Sequence, residues 1–222
     1  MPNLTNSKPD LRRHYRSLRK ALSFEQVELA SEKIANSVTQ AIVSSRAVAD
    51  AEKHRRTLII GAYQPFDNEP DCKIINETAL HALRTKLPAL SVGIAYPKIY
   101  NNLDIKYYIY EKQIHGPLVK NRYGIFEPNP KSCGPNITPN ILLIPGLAFN
   151  SKGYRLGYGR GFFDSFLNNS RKDNKVLAAI GVAYDFQYVD HDFQELHDHS
   201  MDVVCYESHL LITSTASTSP LV

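Results

Sequence analysis

Apolar positions along the chain change period several times, and each change predicts an element. Leu11, Tyr15, Leu18 and Leu22 recur at intervals of four, three and four, one face of a helix, so Lys8–Leu22 reads as a helix entered after Pro9. Arg12, Arg16, Arg19 and Lys20 lie largely elsewhere around it. Ser23 is an N-cap and forms a capping box with Gln26, opening a second helix that runs to about Ser44. Val27, Ala30, Ile34, Val38, Ala41 and Ile42 give that helix its buried face, and Arg46–Arg56 reads as a charged connector. Thr57–Tyr63 is β-branched and apolar, a strand; Gln64–Pro70 is a turn holding Glu69; Asp71–Leu83 is a helix with Ile74, Ile75, Thr78 and Leu83 turned partly inward. Ser91–Tyr96 is a second strand, and Leu103–Tyr110 alternates as a third that pairs antiparallel beside it. A Pro- and Asn-rich stretch, Asn129–Asn140, leads to the apolar run Ile141–Ile144, which Pro145 stops. Phe162–Leu167 reads as a short helix, Arg171–Lys175 as a polar turn and Val176–Val182 as a buried strand; Met201–Cys205 and His209–Thr213 close the pattern as edge strands.

Strands alternating with helices imply an α/β fold. The expected form is a doubly wound, mostly parallel sheet with a mixed edge, helices on both faces, and an N-terminal helical pair. Ligands in such folds bind at the carboxyl ends of the strands. Residues 1–213 read as one domain and 214–222 as a disordered Ser/Thr-rich tail; Met1–Ser7 is polar and loose.

Composition narrows the function. The chain has 222 residues, 43% hydrophobic and 22% charged, the balance of a soluble globular domain with a sizeable core. A net charge of +4 suits a small anionic substrate and is too mild to argue for nucleic acid. Cys72, Cys133 and Cys205 are isolated and odd in number, so neither a disulfide framework nor a zinc ribbon is expected and a reducing compartment is. No apolar h-region follows Lys8 and no run approaches a membrane span, so the expected location is cytoplasmic, without membrane attachment.

The candidate chemistry sits between Ile141 and Leu167. After the apolar run comes a loop with Gly146, Gly153, Gly157, Gly159 and Gly161 and the cations Lys152, Arg155 and Arg160, closing on Phe162-Phe163-Asp164 at a helix start. Strand, Gly-rich loop and helix start together make a phosphate cradle: glycine lets the backbone approach a ligand, bare N–H groups favour an anion, and Arg adds planar donors of fixed charge. The loop contains no GxxxxGK[ST], and Gly157-Tyr158-Gly159-Arg160-Gly161 lacks the GxGxxG spacing, so it is neither a P-loop nor a dinucleotide fingerprint. His191, His197 and His199 match no standard helix-borne ligand pair.

The string R-L-G-Y-G-x-G-(aromatic)₂-D after P-G-L-A-F resembles the signature of the 5-formyltetrahydrofolate cyclo-ligase family, also called methenyltetrahydrofolate synthetases. The resemblance extends from about Lys8 to Ile212. It implies ATP- and Mg²⁺-dependent cyclisation of 5-formyltetrahydrofolate to 5,10-methenyltetrahydrofolate with release of ADP and phosphate. ATP phosphorylates the formyl oxygen to an N5-iminophosphate, N10 attacks the activated carbon, and phosphate leaves. By resemblance, Lys8, Arg12 and Arg155 hold the ATP phosphates, Lys8 and Arg12 in a K-x₃-R pattern followed eleven residues on by Ser23, and Leu156, Gly157, Tyr158, Gly159, Arg160, Gly161, Phe162 and Phe163 line the nucleotide site. Tyr158, Gly159, Arg160, Gly161 and Phe162 also meet the folate, as does Glu69 after the first strand, with Gln64 beside it. The same resemblance implies Asp164 and Asp198 as the metal acids and Arg155, Tyr158 and Lys8 as the catalytic residues. Tyr123–Pro128 resembles a further family segment that lines the cleft. The implied partner is a folate, with or without a polyglutamate chain, and a monomer is expected over an oligomer.

Two departures stand out: Phe162-Phe163 replaces a Tyr pair, and Asn150 stands where the family has Asp, a change expected to loosen the loop. Asp202 is expected to be structural. Another ATP-dependent small-molecule kinase or ligase would use the same cradle with a base such as Asp near an acceptor hydroxyl. A basic RNA-binding module would use the first helix and the thirteen Tyr, but acids spread along the chain argue against it.

Overall fold

The computed structural model describes residues 7–100, 104–172 and 176–213. The expected loose N-terminus up to residue 6, residues 173–175 of the polar turn and the Ser/Thr-rich tail from 214 lie outside the described residues. In chain order the elements are α1 (Lys8–Lys20), α2 (Phe24–Val43), α3 (Arg46–His54), β1 (Leu58–Gly61), α4 (Cys72–Lys86), β2 (Val92–Ile99), β3 (Ile105–Ile109) and α5 (Lys112–His115). They continue as β4 (Val119–Lys120), β5 (Phe126–Glu127), β6 (Ile141–Pro145), β7 (Ala148–Asn150), β8 (Arg155–Leu156), α6 (Phe162–Lys172), β9 (Ala178–Val182), β10 (Tyr188–Val189), β11 (Val203–Cys205) and β12 (Leu210–Ile212).

Seven strands form one sheet in the order β12-β11-β9-β6-β1-β2-β3. The five inner strands run parallel, and an antiparallel strand closes each edge, β12 against β11 and β3 against β2. Strand side chains alternate between faces, and the two faces have different covers. Ile141 and Leu143 of β6 and Ile180 and Val182 of β9 pack with Ile34, Val38, Val48, Ile75 and Leu83 from α2, α3 and α4. Leu142, Ile144 and Ala179, the residues between them, pack with Phe149, Tyr107 and Leu167 of α6. Every residue of β6 and β9 is therefore buried, which is why those runs read as continuous apolar stretches. This is the doubly wound α/β fold that the alternation of elements predicts.

Three local expectations are corrected. The stretch from Arg46 to Arg56 is not a connector: Ser45 caps α3 by accepting from Val48 N, and Ala47, Val48 and Ala51 bury one side of it. Three small apolar residues suffice there, and the charges around them sit on the solvent side. The short helix after the Gly loop runs on to Lys172, because its buried side needs only Leu167 and Ser170 in that stretch. Leu18, placed on the apolar stripe of α1, is exposed, while Arg19 beside it is fully buried. Among the described residues no helix is long and apolar enough to cross a membrane.

The chain leaves β1 toward β2 on one side and later enters β6 on the other side of β1. The loops after β1 and β6 therefore diverge, and the crevice between them is where such sheets bind ligands. A small second sheet, β10-β7-β8, continues from β6 and carries the start of the Gly loop. The Phe149 ring of β7 seats it against the main sheet, where glycine leaves it room: a Cβ on Gly181 would lie 2.8 Å from Phe149 Cε1, and one on Gly146 2.8 Å from Phe149 Cε2. Gly181→Ala is expected to lower stability by about 1–3 kcal/mol through overpacking. Urea denaturation measures this, and an unchanged midpoint would contradict the packing described.

Candidate active site

A cleft of about 1150 Å³ opens at the carboxyl ends of β1 and β6. One wall is the turn after β1, with Tyr63, Gln64, Phe66 and Glu69; the floor is Pro145 and Gly146 after β6; the opposite wall is the Gly loop from Arg155 to Asp164. Helix α1 supplies Lys8 and Arg12, and the segment Glu195–His199 forms part of the rim. The residues expected to hold nucleotide, folate and metal all line this one cleft: Lys8, Arg12, Gln64, Glu69, Arg155 to Phe163, Asp164 and Asp198; Lys152 of the same loop does not, and pairs with Asp192 outside it.

Helix α1 begins at Ser7, whose side chain accepts from Asp10 N, with proline in the first turn. Lys8, Arg12, Arg16 and Arg19 fall within about 80° of arc at 100° per residue, so one side of the helix is wholly cationic. Its apolar side docks through Leu11 onto Leu147, Ala148, Leu156 and Val189. Lys8 Nζ pairs with Asp198 Oδ2 at 2.9 Å and Glu195 Oε1 at 3.2 Å. Arg12 Nε donates to Gly157 O at 2.9 Å, and Arg16 Nε to Asp67 Oδ2 at 2.8 Å. The basic side of this helix is thus turned to the protein, apart from the half-exposed Arg16.

Arg155 is the inner cation of the Gly loop. Its Nη2 donates to Asp164 Oδ2 at 3.0 Å, its guanidinium lies 5.3 Å from the Phe163 ring centroid, and its buried Nε has no hydrogen-bond partner among the described residues. Gly157 leaves that guanidinium its place, since a Cβ there would lie 2.3 Å from Arg155 Nη1 and displace it. Gly159, at φ +87, adopts a backbone that other residues rarely take and leaves space for the Arg12 guanidinium. The Leu156 side chain is buried with Leu11, so only its backbone can meet a ligand in the cleft. Arg160 extends over the Tyr123 ring at 5.3 Å, with Arg122 at 4.9 Å from the same ring. Glu127 below them is buried, pairs with Lys98 Nζ at 3.2 Å and accepts from Ile99 N and Asn121 Nδ2.

Arg19 escapes a reading that treats a basic stripe as a solvated face. Its side chain has no exposed surface. Nε donates to Asp67 O at 2.6 Å, Nη1 to Gly146 O at 3.2 Å and Nη2 to the Tyr158 hydroxyl. Carboxylates lie close by, Asp67 Oδ2 at 3.5 Å and Glu69 Oε1 at 3.6 Å. The Tyr158 hydroxyl in turn donates to Asp67 Oδ2 at 3.1 Å, and its ring meets Phe66 edge-on at 6.0 Å. Burial pushes the Tyr158 phenol well up, so it stays protonated and can donate. The signal for Arg19 was in the spacing: it stands three turns after Lys8 on the same side of the helix.

Glu69 is buried, and burial raises its carboxyl from the usual 4.5 to about 7. Arg19 and the Phe66 N–H pull it down, Asp67 pushes it up and Arg155 pulls it down, but loss of water dominates. At Asp198 the balance runs the other way. Burial pushes it up, yet hydrogen bonds from Lys8 and from Glu195 N outweigh that and hold it below the usual carboxylate range.

Among the described residues no three His, Cys, Asp or Glu side chains gather into a metal-binding group. His197 is exposed and pairs with Glu195 at 3.3 Å. Asp164 and Asp198, the two acids expected to bind metal, both face the cleft, each against a cation. Asn150 does not loosen its loop. It is fully buried, its Oδ1 accepts from Lys152 N and Tyr154 N, and its Nδ2 donates to Gln194 Oε1 at 2.8 Å. Asp202 ties Ala179 N and Arg171 to β11, a structural role.

The fold and site define an α/β protein with a cleft of paired cations and carboxylates at a sheet switch point. The family described as "5-formyltetrahydrofolate cyclo-ligase family" matches residues 4–207, and the chain belongs to it. A 5-formyltetrahydrofolate cyclo-ligase of Haemophilus influenzae is 41% identical over 76 residues, 33% of this chain and 40% of that protein. One of Mycoplasma genitalium is 39% identical over 72 residues, 31% of this chain and 41% of that protein. The chain thus spans about two fifths of the length of each of these relatives. The NMR structure of Aquifex aeolicus 5,10-methenyltetrahydrofolate synthetase shares the fold, with a TM-score of 0.66, 24% identity and 93% of each chain covered.

The raised Glu69 value has a consequence for stability. The folded chain holds this proton more tightly than the unfolded chain does, so the contribution is full below about 4.5 and is lost as pH rises through about 7. Relative to Glu69→Gln, which has no such proton, the wild-type chain is expected to lose on the order of 3 kcal/mol between those limits. Chemical denaturation of both proteins from pH 5 to pH 8 measures it. Parallel stability curves would contradict the buried, protonatable carboxyl.

Proposed function

We propose that the chain cyclises 5-formyltetrahydrofolate to 5,10-methenyltetrahydrofolate, using ATP and Mg²⁺ and releasing ADP and phosphate. The observation that carries this is the single cleft in which Lys8, Arg12, Arg155, Asp164 and Asp198 meet the aromatic and acidic groups Phe66, Tyr158 and Glu69. Its volume of about 1150 Å³ lies at the upper end of ligand pockets, which run to roughly 1,000 Å³, as a site for large ligands requires. Family membership supports the same reading.

The residues suit the ligands. Among the described residues the buried Nε of Arg155 has no hydrogen-bond acceptor and Arg12 has no carboxylate partner. Together with Lys8 and the backbone N–H groups over Leu156–Phe163, they would hold the ATP phosphates. Asp164 and Asp198 are oxygen donors in the same cleft, which suits an ion bound by one or two carboxylates and by phosphate oxygens. ATP supplies the phosphoryl group that turns the formyl oxygen into a leaving group. The work left to the chain is positioning and charge neutralisation. Arg155, Lys8 and Arg12 neutralise the developing charge, the Tyr158 and Phe66 rings pack on the flat pterin, and Glu69 accepts hydrogen bonds from its N–H groups. Gln64, Arg160 and Phe162 complete the folate wall. No side-chain nucleophile is needed. Three free, buried cysteines support a cytosolic setting.

Near-ultraviolet absorbance of the purified chain with 5-formyltetrahydrofolate and MgATP tests this. The methenyl product's band is expected to grow, to need both ATP and Mg²⁺, and to slow by roughly 10²–10³-fold in Arg155→Ala, the loss typical of removing one donor that meets developing charge. Absence of the band in the wild-type chain would overturn the proposal.

A further inference from the structure

Arg19 does not line the cleft, yet it touches three segments that do. We propose that Arg19 is a positioning residue of the folate pocket, a clamp that fixes the turn after β1 and the Tyr158 ring against the β6 carboxyl end so that Glu69 and Tyr158 meet the same ligand. This rests on reading the cleft as a folate site.

The turn it holds has two bonds of its own, Phe66 N to Glu69 Oε2 at 3.1 Å and Glu69 N to Phe66 O at 3.2 Å, and draws the rest of its support from outside. Asp67 and Asn68 are successive non-glycine residues in the left-handed region, both at φ 55, and such backbone persists only where its surroundings enforce it. Helix α1 enforces it from two directions. The Arg19 guanidinium binds Asp67 O and faces the Asp67 and Glu69 carboxylates, while Asn68 Nδ2 returns to Arg19 O at 3.2 Å and Leu22 O at 3.1 Å. On its far side Arg19 reaches Gly146 O and the Tyr158 hydroxyl, and Asp67 accepts from that hydroxyl. One planar group thus spans the turn after β1, the start of the β6 loop and the middle of the Gly loop. Lysine would keep the charge but offers a point of donors in place of a fork, and it cannot serve all three. The groups that act on Glu69 are Arg19 from α1, Asp67 and Phe66 N from its own turn, and Arg155 from β8. Glu69 in turn acts on Tyr63, Cys72, Tyr158 and Tyr184.

The test compares Arg19→Lys with the wild-type chain in three ways: calorimetric affinity for 5-formyltetrahydrofolate without ATP, KM for each substrate, and the unfolding midpoint. The expected result is folate affinity weakened ~10-fold or more, the scale of one lost charge-assisted hydrogen bond, with KM for ATP within about twofold and cooperative unfolding retained. Tyr158→Phe deletes one arm of the clamp and keeps the ring, and it should reproduce part of the loss. Its effect should shrink when it is added to Arg19→Lys, because the two changes break the same contact. Wild-type folate affinity in Arg19→Lys overturns the inference, as does an equal loss toward both substrates that tracks a lowered midpoint. If Arg19→Lys does not fold, Tyr158→Phe and Asp67→Asn carry the test, and unchanged folate affinity in both overturns it. A wild-type chain that cyclises the folate while these variants match it sinks this inference alone. A wild-type chain that binds no 5-formyltetrahydrofolate sinks the proposed function with it.

Discussion

A buried guanidinium must find acceptors for its donors and opposite charge for its own, because no water is left to supply either. At Arg19 that requirement is met by a main-chain carbonyl and two carboxylates of the turn after β1, by the carbonyl of Gly146 after β6 and by the hydroxyl of Tyr158. The partners after β6 lie more than a hundred residues from Arg19 in the chain, and those after β1 lie about fifty from it. They meet because β6 enters the sheet on the far side of β1 from β2 and their loops part at the switch point. The sheet opens the crevice, and the cation on α1 fixes its walls.

The outer part of the cleft follows a different electrostatic rule. Lys8 sits against Asp198 and Glu195, and Arg155 against Asp164. These pairs are buried in part, so each charge stays balanced while its position is held. Glycine does the complementary work, since side chains at Gly157 and Gly159 would fill the space that the Arg155 and Arg12 guanidiniums occupy. Cations, carboxylates and bare backbone around one volume are what phosphoryl transfer to a flat, amide-bearing substrate asks for.

Much of this was legible in the sequence, and the reasons are physical. The continuous apolar runs at β1, β6 and β9 declared themselves because both faces are covered, and the capping box at Ser23 and Gln26 forms as its spacing predicts. The loop from Gly157 to Asp164 was legible because close backbone approach demands glycine at fixed places. Helix α3 was not, because its small buried side of Ala47, Val48 and Ala51 is outnumbered by charge. Arg19 was missed because composition does not reveal which side of a basic helix meets the protein. Its partners Asp67 and Tyr158 come from elsewhere in the chain, so only the fold unites them. Asn150 was misjudged for a similar reason: an amide can both donate and accept, and here it does, to Gln194 and from the turn.

The central claim is that one cleft brings the terminal phosphate of ATP to the formyl oxygen of a folate. Labelling that oxygen with its heavy isotope follows the atom itself. If the phosphoryl group is transferred to it and then leaves, the label must be found in the inorganic phosphate released with ring closure, one atom per turnover. Label released to water, with unlabelled phosphate formed alongside, would mean that ATP is hydrolysed apart from the folate and would contradict the account.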